Sequence, residues 1–329
     1  MRPKEAVIAV TYRCNARCQM CNIWKSEATH EMEPIHYLKL PSSLKTINIT
    51  GGEPFLRKDL IKVVGNIHTR APTSRMVFST NGLLTETIVS AISEIRRFHR
   101  KVGVGISVDG PEEIHDGIRG VRGAFKRAIS TIEGLKKVGV MDLRIGMTLT
   151  NQNVGYAAAV YEIARGLGVE FSTTFAHNSE IYFQKMDNSI PEFNEATRLS
   201  LERVRSAQLR SNSVKDWFRA YHVQGIMDPN LRKEFIARCE AGSRYFFMSP
   251  SGDVFPCLVM NIPMGNLREA ADWNDLLKKG VEEKTHHAVL RCTEDCWMVC
   301  NTRSLIMSHP VRASIWVAKN KMDAHLRPS

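Results

Sequence analysis

The chain has 329 residues, 43% hydrophobic and 24% charged, enough apolar material for a full-sized core. No run approaches the roughly 18–20 consecutive apolar residues of a membrane helix. Residues 6–10 are too short and too early an apolar stretch for a secretory signal, so a cytoplasmic location is expected. Forty-five Lys and Arg against 34 Asp and Glu give a net charge of +11. That excess points towards RNA, an anionic membrane surface or an acidic partner, but the basic residues are scattered, with no block of five or six.

From residue 7 to about 177, strand-like and helix-like stretches alternate. Residues 7–11 and 46–50 predict two strands, and 59–68 a helix. A strand over 76–80 precedes a helix over 84–99, where Ile88, Ala91, Ile92 and Ile95 recur on one face. Further strands are expected over 102–108, 143–149 and 169–175, separated by helices over 124–138 and 155–167. Such units predict a parallel sheet covered by helices, an α/β fold. Six strands fit an incomplete barrel or an open doubly wound sheet. Both collect functional groups at the C-terminal ends of the strands. Five polar motifs fall there: Thr50-Gly51-Gly52-Glu53-Pro54, Ser79-Thr80-Asn81-Gly82, Ser107-Val108-Asp109-Gly110, Thr148-Leu149-Thr150-Asn151 and Ala176-His177-Asn178.

After residue 178 the pattern turns helical, over 192–208 and 230–239. A β-hairpin is then expected from 245–248 and 254–257, and a basic amphipathic helix over 310–326, opening on a proline. The organisation expected is a core over 1–180, a helical connection over 181–238, a cysteine-rich segment over 239–309 and a terminal helix over 310–329.

All eight cysteines lie near the ends: Cys14, Cys18 and Cys21, then Cys239, Cys257, Cys292, Cys296 and Cys300. In a reducing compartment this grouping reads as two metal sites rather than disulfides. Cys14, Cys18 and Cys21 are spaced Cys-x3-Cys-x2-Cys directly after a strand. Three thiolates on one tight loop suit three corners of a cubane cluster, whereas a structural zinc site takes four ligands. The missing fourth ligand leaves one iron open.

This spacing, with Met20 before the third cysteine, resembles the radical S-adenosylmethionine (radical SAM) superfamily. The resemblance implies a partial (β/α)6 barrel, and a 4Fe-4S cluster on Cys14, Cys18 and Cys21. S-adenosyl-L-methionine would chelate the fourth iron and be cleaved by one electron to a 5′-deoxyadenosyl radical, which abstracts hydrogen from the substrate. Gly51, Gly52, Glu53 and Pro54 resemble the family's motif for the cofactor amine, with glycines for close approach and Glu53 as acceptor. Ser79 and Asn81 resemble the polar pair of the third strand, and Ser107 and Asp109 the ribose or carboxylate contacts of the fourth. Arg144 and Thr148 are further candidates for the carboxylate, and His177 for adenine or substrate.

The C-terminal cysteines resemble the SPASM and Twitch extensions, small α+β domains that hold auxiliary clusters beside the barrel. Cys239-x12-Gly252-x4-Cys257, followed by Met264-Gly265-Asn266-Leu267-Arg268-Glu269, carries that likeness. A full two-cluster extension has about seven cysteines and five are present, so one auxiliary 4Fe-4S cluster is expected. Its ligands would be Cys239, Cys257 and two of Cys292, Cys296 and Cys300, which could share one helix face at i, i+4 spacing. Zinc on the same thiols is the alternative.

The function expected is a radical oxidoreductase of dehydrogenase type acting on a small molecule such as a sugar, an aminocyclitol or a lipid-linked precursor. Flavodoxin or ferredoxin would supply electrons. The small-molecule preference rests on the chain starting at its first strand, without the N-terminal peptide-recognition domain of peptide-modifying relatives. Modification of a peptide, by a thioether or carbon–carbon crosslink, or of RNA is the second reading. A non-catalytic iron–sulfur or zinc module is the third. Tyr182, Phe183 and Trp217 are candidates for a substrate pocket.

Overall fold

The computed structural model describes residues 2–26, 30–277 and 280–326, the side chains of Phe235 and Leu326 excepted. The last three residues of the expected terminal segment, 327–329, lie outside them. The N-terminal half runs β1 (Glu5–Ala9), β2 (Thr46–Thr50), α1 (Leu60–Arg70), β3 (Arg75–Thr80), α2 (Thr85–Phe98), β4 (Val102–Ser107) and α3 (Glu112–Arg119). It continues through α4 (Ala124–Lys137), β5 (Asp142–Leu149), α5 (Ala157–Gly166) and β6 (Glu170–Phe175). The six strands pair in parallel in sequential order, β1 to β6. A doubly wound sheet reverses its order midway; this one does not, and the incomplete barrel is the fold.

Side-chain alternation sorts the two faces of the sheet. Ile8, Ile49, Phe78, Ile106 and Ile145 pack outward against Val63, Ile67, Ile92, Ile95 and Ile132 of the helices. The alternate residues, Asn48, Ser79, Ser107, Arg144 and Thr148 among them, face the barrel interior and are polar and only partly buried. That inward polar row is what the barrel offers to ligands.

The rest of the chain adds α6 (Glu195–Arg210), α7 (Val214–Met227), α8 (Pro229–Ile236), β7 (Tyr245–Met248), β8 (Asp253–Phe255) and β9 (Gly265–Asn266). It ends with α9 (Trp273–Leu276), α10 (Val281–Leu290), α11 (Val299–Ser308) and α12 (Pro310–Leu326). The hairpin does not stand apart from the core. β7 pairs in parallel with β1, aligning Tyr245 with Glu5 and Met248 with Ile8. β8 and β9 follow antiparallel, which makes one nine-stranded sheet.

The expected shared helix face of Cys292, Cys296 and Cys300 is not formed: only Cys300 is helical, in α11, while Cys292 and Cys296 lie in the irregular segment before it. Trp297 draws that segment out of helix. It is fully buried, its ring lies against Gly225, where a Cβ would stand 1.9 Å away, and its indole donates to the carbonyl of His222 at 2.7 Å. Helix α12 buries Ala313 and Val317 and sets Trp316 against Tyr221. No described helix is long and apolar enough to cross a membrane.

Candidate active site

The site begins where β1 ends. The backbone amide of Gly52 donates to the carbonyl of Thr11, and that of Glu53 to the carbonyl of Arg13, both at 2.8 Å. These bonds dock the loop of Cys14 onto the end of β2. Gly51 has φ +147°, and a Cβ there would stand 2.1 Å from the Thr11 carbonyl oxygen; one at Gly52 would stand 2.3 Å from that of Arg13. The two glycines are therefore required by the approach of the cysteine loop itself, a role that the cofactor-based expectation overlooked.

Cys14, Cys18 and Cys21 line one cavity together with Gly51, Gly52, Ser79, Asn81, Ser107 and Thr148. Four successive strand ends thus converge on the three thiols. Glu53, Pro54 and Asp109 stand behind this wall. Both Glu53 oxygens accept from the Thr80 hydroxyl at 2.9 Å, and one also accepts from the Asn81 amide at 2.9 Å. Burial pushes the Glu53 carboxyl up to about 7, against the pull of those donors. Asp109, fully buried, accepts from the Thr148 amide at 2.9 Å and pairs with Arg119 at 2.6 Å.

Arg119, from the end of α3, also lines the cavity and donates to Cys18 Sγ at 3.5 Å. Burial alone pulls its pKa down, but the charges of Asp109 and Cys18 outweigh that and hold it above the ordinary arginine value. The sequence reading missed this residue because α3 was not foreseen. The available signal was a charged side chain one turn after His115, on a short helix following the Asp109-Gly110 turn.

Three foreseen residues, Arg144, His177 and Trp217, lie away from this cavity. Arg144, four residues before Thr148 on β5, lines a separate cavity at the opposite end of the strand. His177 is buried and its Nε2 accepts the backbone amide of Trp297 at 3.0 Å, which makes it a strut between barrel and C-terminal segment. Tyr182 and Phe183 do line the thiol cavity. Trp217 instead donates to the Ser211 carbonyl and lies beneath Lys321.

The thiols fit a cluster by their chemistry. All eight are free, and burial pushes Cys14 up to about 11 and Cys21 up to about 12. Buried thiols with such values ionise only beside a strong positive charge, which a soft-metal cluster supplies. A second cavity is lined by Cys239, Cys257, Cys292 and Cys296. Cys257 Sγ accepts backbone amides from Val259 at 3.4 Å and Met260 at 3.2 Å, and Asn301 donates to Cys296 Sγ at 3.6 Å. Such donors to sulfur tune iron–sulfur centres. Among the described residues, no three His, Cys, Asp or Glu side chains converge as a single-ion site requires.

Cys300 does not line the second cavity. It packs with Cys14, Cys21 and Cys296 around a core that includes Tyr12, Phe247 and Met298. Tyr182 stands between the two groups of thiols. Its hydroxyl shares a 2.8 Å hydrogen bond with Thr50, and burial, followed by the nearby Cys21, Cys300 and Cys14, pushes it up to about 12.

Residues 8–161 match the Radical SAM superfamily. The chain carries a radical SAM domain. Families with this domain use a 4Fe-4S cluster and S-adenosylmethionine, and relatives of the SPASM type carry auxiliary clusters as well. The radical SAM chain is 27% identical to an AdoMet-dependent heme synthase of Methanosarcina barkeri, over 81% of its own length and 80% of that protein. It is 26% identical to the subtilosin biosynthesis protein AlbA of Bacillus subtilis, over 80% of its length and 57% of AlbA. Among solved structures, SuiB of Streptococcus suis bound to S-adenosylmethionine superposes with a TM-score of 0.63 at 16% identity, covering 86% of this chain and 67% of SuiB. That likeness speaks for the fold.

Proposed function

We propose that this chain is a radical SAM oxidoreductase that abstracts hydrogen from an anionic small molecule, with a haem precursor as the first class to test. The observation that carries the reading is the convergence of Cys14, Cys18 and Cys21 with four strand ends on one cavity. Cys14, Cys18 and Cys21 would hold the 4Fe-4S cluster. When bound, the cluster and S-adenosylmethionine supply one-electron cleavage of a carbon–sulfur bond and hydrogen abstraction.

The chain's own residues have distinct tasks. Arg119, locked by Asp109, presents a fixed cation at the cavity wall for the cofactor carboxylate. Ser79, Ser107 and Thr148 offer hydroxyls, and Asn81 an amide, along the same wall. Cys239, Cys257, Cys292 and Cys296 are the ligand set proposed for one auxiliary 4Fe-4S cluster, able to take up the electron that an oxidised substrate gives up. A flavodoxin or ferredoxin, both acidic proteins, suits the net charge of +11.

The haem-precursor reading is supported by the relative named a heme synthase and by that same charge, which favours a substrate bearing carboxylates. Peptide modification is the second reading, favoured by the similarity to AlbA, a protein named for subtilosin biosynthesis. The test is anaerobic reconstitution with iron and sulfide, then reductant and S-adenosylmethionine, with 5′-deoxyadenosine measured by mass spectrometry. It should form in the native chain and be lost in Cys14→Ala, Cys18→Ala and Cys21→Ala. Its absence from native protein carrying a full iron load overturns the reading. Iron-coproporphyrin and a cysteine-bearing peptide, added in turn, then distinguish the substrate classes by which one is consumed.

A further inference from the structure

The end of the barrel opposite the thiols takes no part in the proposed radical chemistry, yet it is densely charged. Glu5, Arg75, Asp142 and Glu170 open strands β1, β3, β5 and β6, and Arg144 faces the same interior one inward step further along β5. Arg219 and Lys215 of α7 and Arg303 of α11 close the ring. The carboxylates are already engaged: Asp142 with Arg75 at 2.6 Å, Glu5 with Arg303 at 3.0 Å, and Glu170 with Lys215 at 3.0 Å and with Arg219 as well. Asp216 pairs with Arg219 too, at 3.0 Å, so five cations meet four carboxylates.

Arg144 is the cation left over. Among the described residues, no hydrogen bond or ion pair engages its guanidinium; its electrostatic neighbours are Arg219 and Arg75, then Asp142 and Glu170. Burial first, and then Arg219 and Arg75, pull it down to about 10. The fold makes room for it: a Cβ on Gly105, its partner on β4, would stand 2.9 Å from Arg144 Nε. A half-buried cation held beside two others with no partner of its own is costly, and a bound anion would offset that cost.

Arg144 opens on a cavity of about 470 Å³ whose other wall is apolar, built from Phe218 and Val223 of α7 and from Val299 and Ile306 of α11. That size suits a small organic ligand. We propose that this cavity is a second ligand site, for a small organic carboxylate whose head pairs with Arg144 and whose apolar body lies on α7 and α11. A guanidinium grips a carboxylate through two parallel hydrogen bonds, and the four other cations of the ring are already committed to carboxylates of the chain. The site is distinct from the thiol cavity, since Arg144 and Thr148 are about 13 Å apart along β5. Helix α11 carries Cys300 in its first turn, so a ligand there touches an element that also reaches the thiols.

Octanoate and octanol, alike in body and different in head, are the probes, titrated calorimetrically into the reconstituted holoprotein. Octanoate should saturate one site per chain, and octanol should bind at least about tenfold more weakly, the value of a charge-assisted hydrogen bond. Arg144→Met should weaken octanoate about tenfold or more, leave octanol unchanged and leave the iron content unchanged. Without ligand, Arg144→Met should melt higher than the native chain, because it removes repulsion from Arg75 and Arg219. The proposal is overturned if octanoate does not bind, if octanol binds equally well, if Arg144→Met binds octanoate like the native chain, or if that variant melts lower, which marks a purely structural arginine.

Discussion

Arg119 and Asp109 form a buried pair in which each residue has a second duty. Asp109 holds the amide of Thr148 at the end of β5, and Arg119 reaches Cys18 Sγ. Removing only the arginine leaves an uncompensated carboxylate in the interior, at a cost of about 3–5 kcal/mol. Arg119→Gln should therefore shift the denaturation midpoint strongly. The double variant Arg119→Gln/Asp109→Asn replaces the pair with neutral hydrogen-bonding groups and should recover most of that loss. If Arg119 also binds the cofactor, the double variant will be stable yet still take up S-adenosylmethionine at least about tenfold more weakly, as loss of a charged hydrogen bond implies. Equilibrium dialysis on reconstituted protein reads that difference. Native-like affinity in a stable double variant would confine Arg119 to a structural role.

At the scale of elements, the segment between α10 and α11 decides where the second group of thiols stands, and Trp297 is its anchor. Its amide, carbonyl and indole are bound by His177, Thr174 and His222 respectively, and Arg232 holds Asp295 beside it at 2.7 Å. Trp297→Ala should cost about 3–5 kcal/mol, as deletion of a large buried aromatic does. It should also lower iron loading at the C-terminal site while sparing the site of Cys14, Cys18 and Cys21. Iron analysis together with Mössbauer or paramagnetic resonance spectra checks this; equal loss from both sites would count against a local anchor. This segment also marks the limit of what the sequence made legible. The strands and α1, α2, α4 and α5 were readable because apolar residues such as Ile88, Ile92 and Ile95 repeat at the period of their element. The strand-end motifs were readable because polar residues interrupt that pattern. The irregular course through Cys292 and Cys296 was not, because it depends on Trp297 meeting Gly225, 72 residues away in the chain. Arg144 was misplaced for a related reason: strand alternation gives the face a side chain takes, not the end of the barrel at which a ligand waits.

For the molecule as a whole, the pairing of β7 with β1 is the feature that ties the two groups of thiols together. It brings Phe247 beside Val7 and so sets Cys296 and Cys300 against the same core as Cys14 and Cys21, with Tyr182 between them. Five C-terminal cysteines are more than one cubane needs, and four of them, Cys239, Cys257, Cys292 and Cys296, line one cavity, whereas Cys300 packs on the core shared with the first site. Fully reconstituted protein should hold about eight irons per chain, four for each cubane. Cys292→Ala should reduce this towards about four, or leave a damaged three-iron centre. Cys300→Ala should keep about eight, because it removes only a packed thiol near the shared core. If Cys300→Ala loses the iron and Cys292→Ala keeps it, the fourth ligand comes from α11 and the cavity-based assignment is wrong. If both variants keep the full complement, the auxiliary cluster is held by three thiols and has an open iron of its own, where a substrate could bind directly.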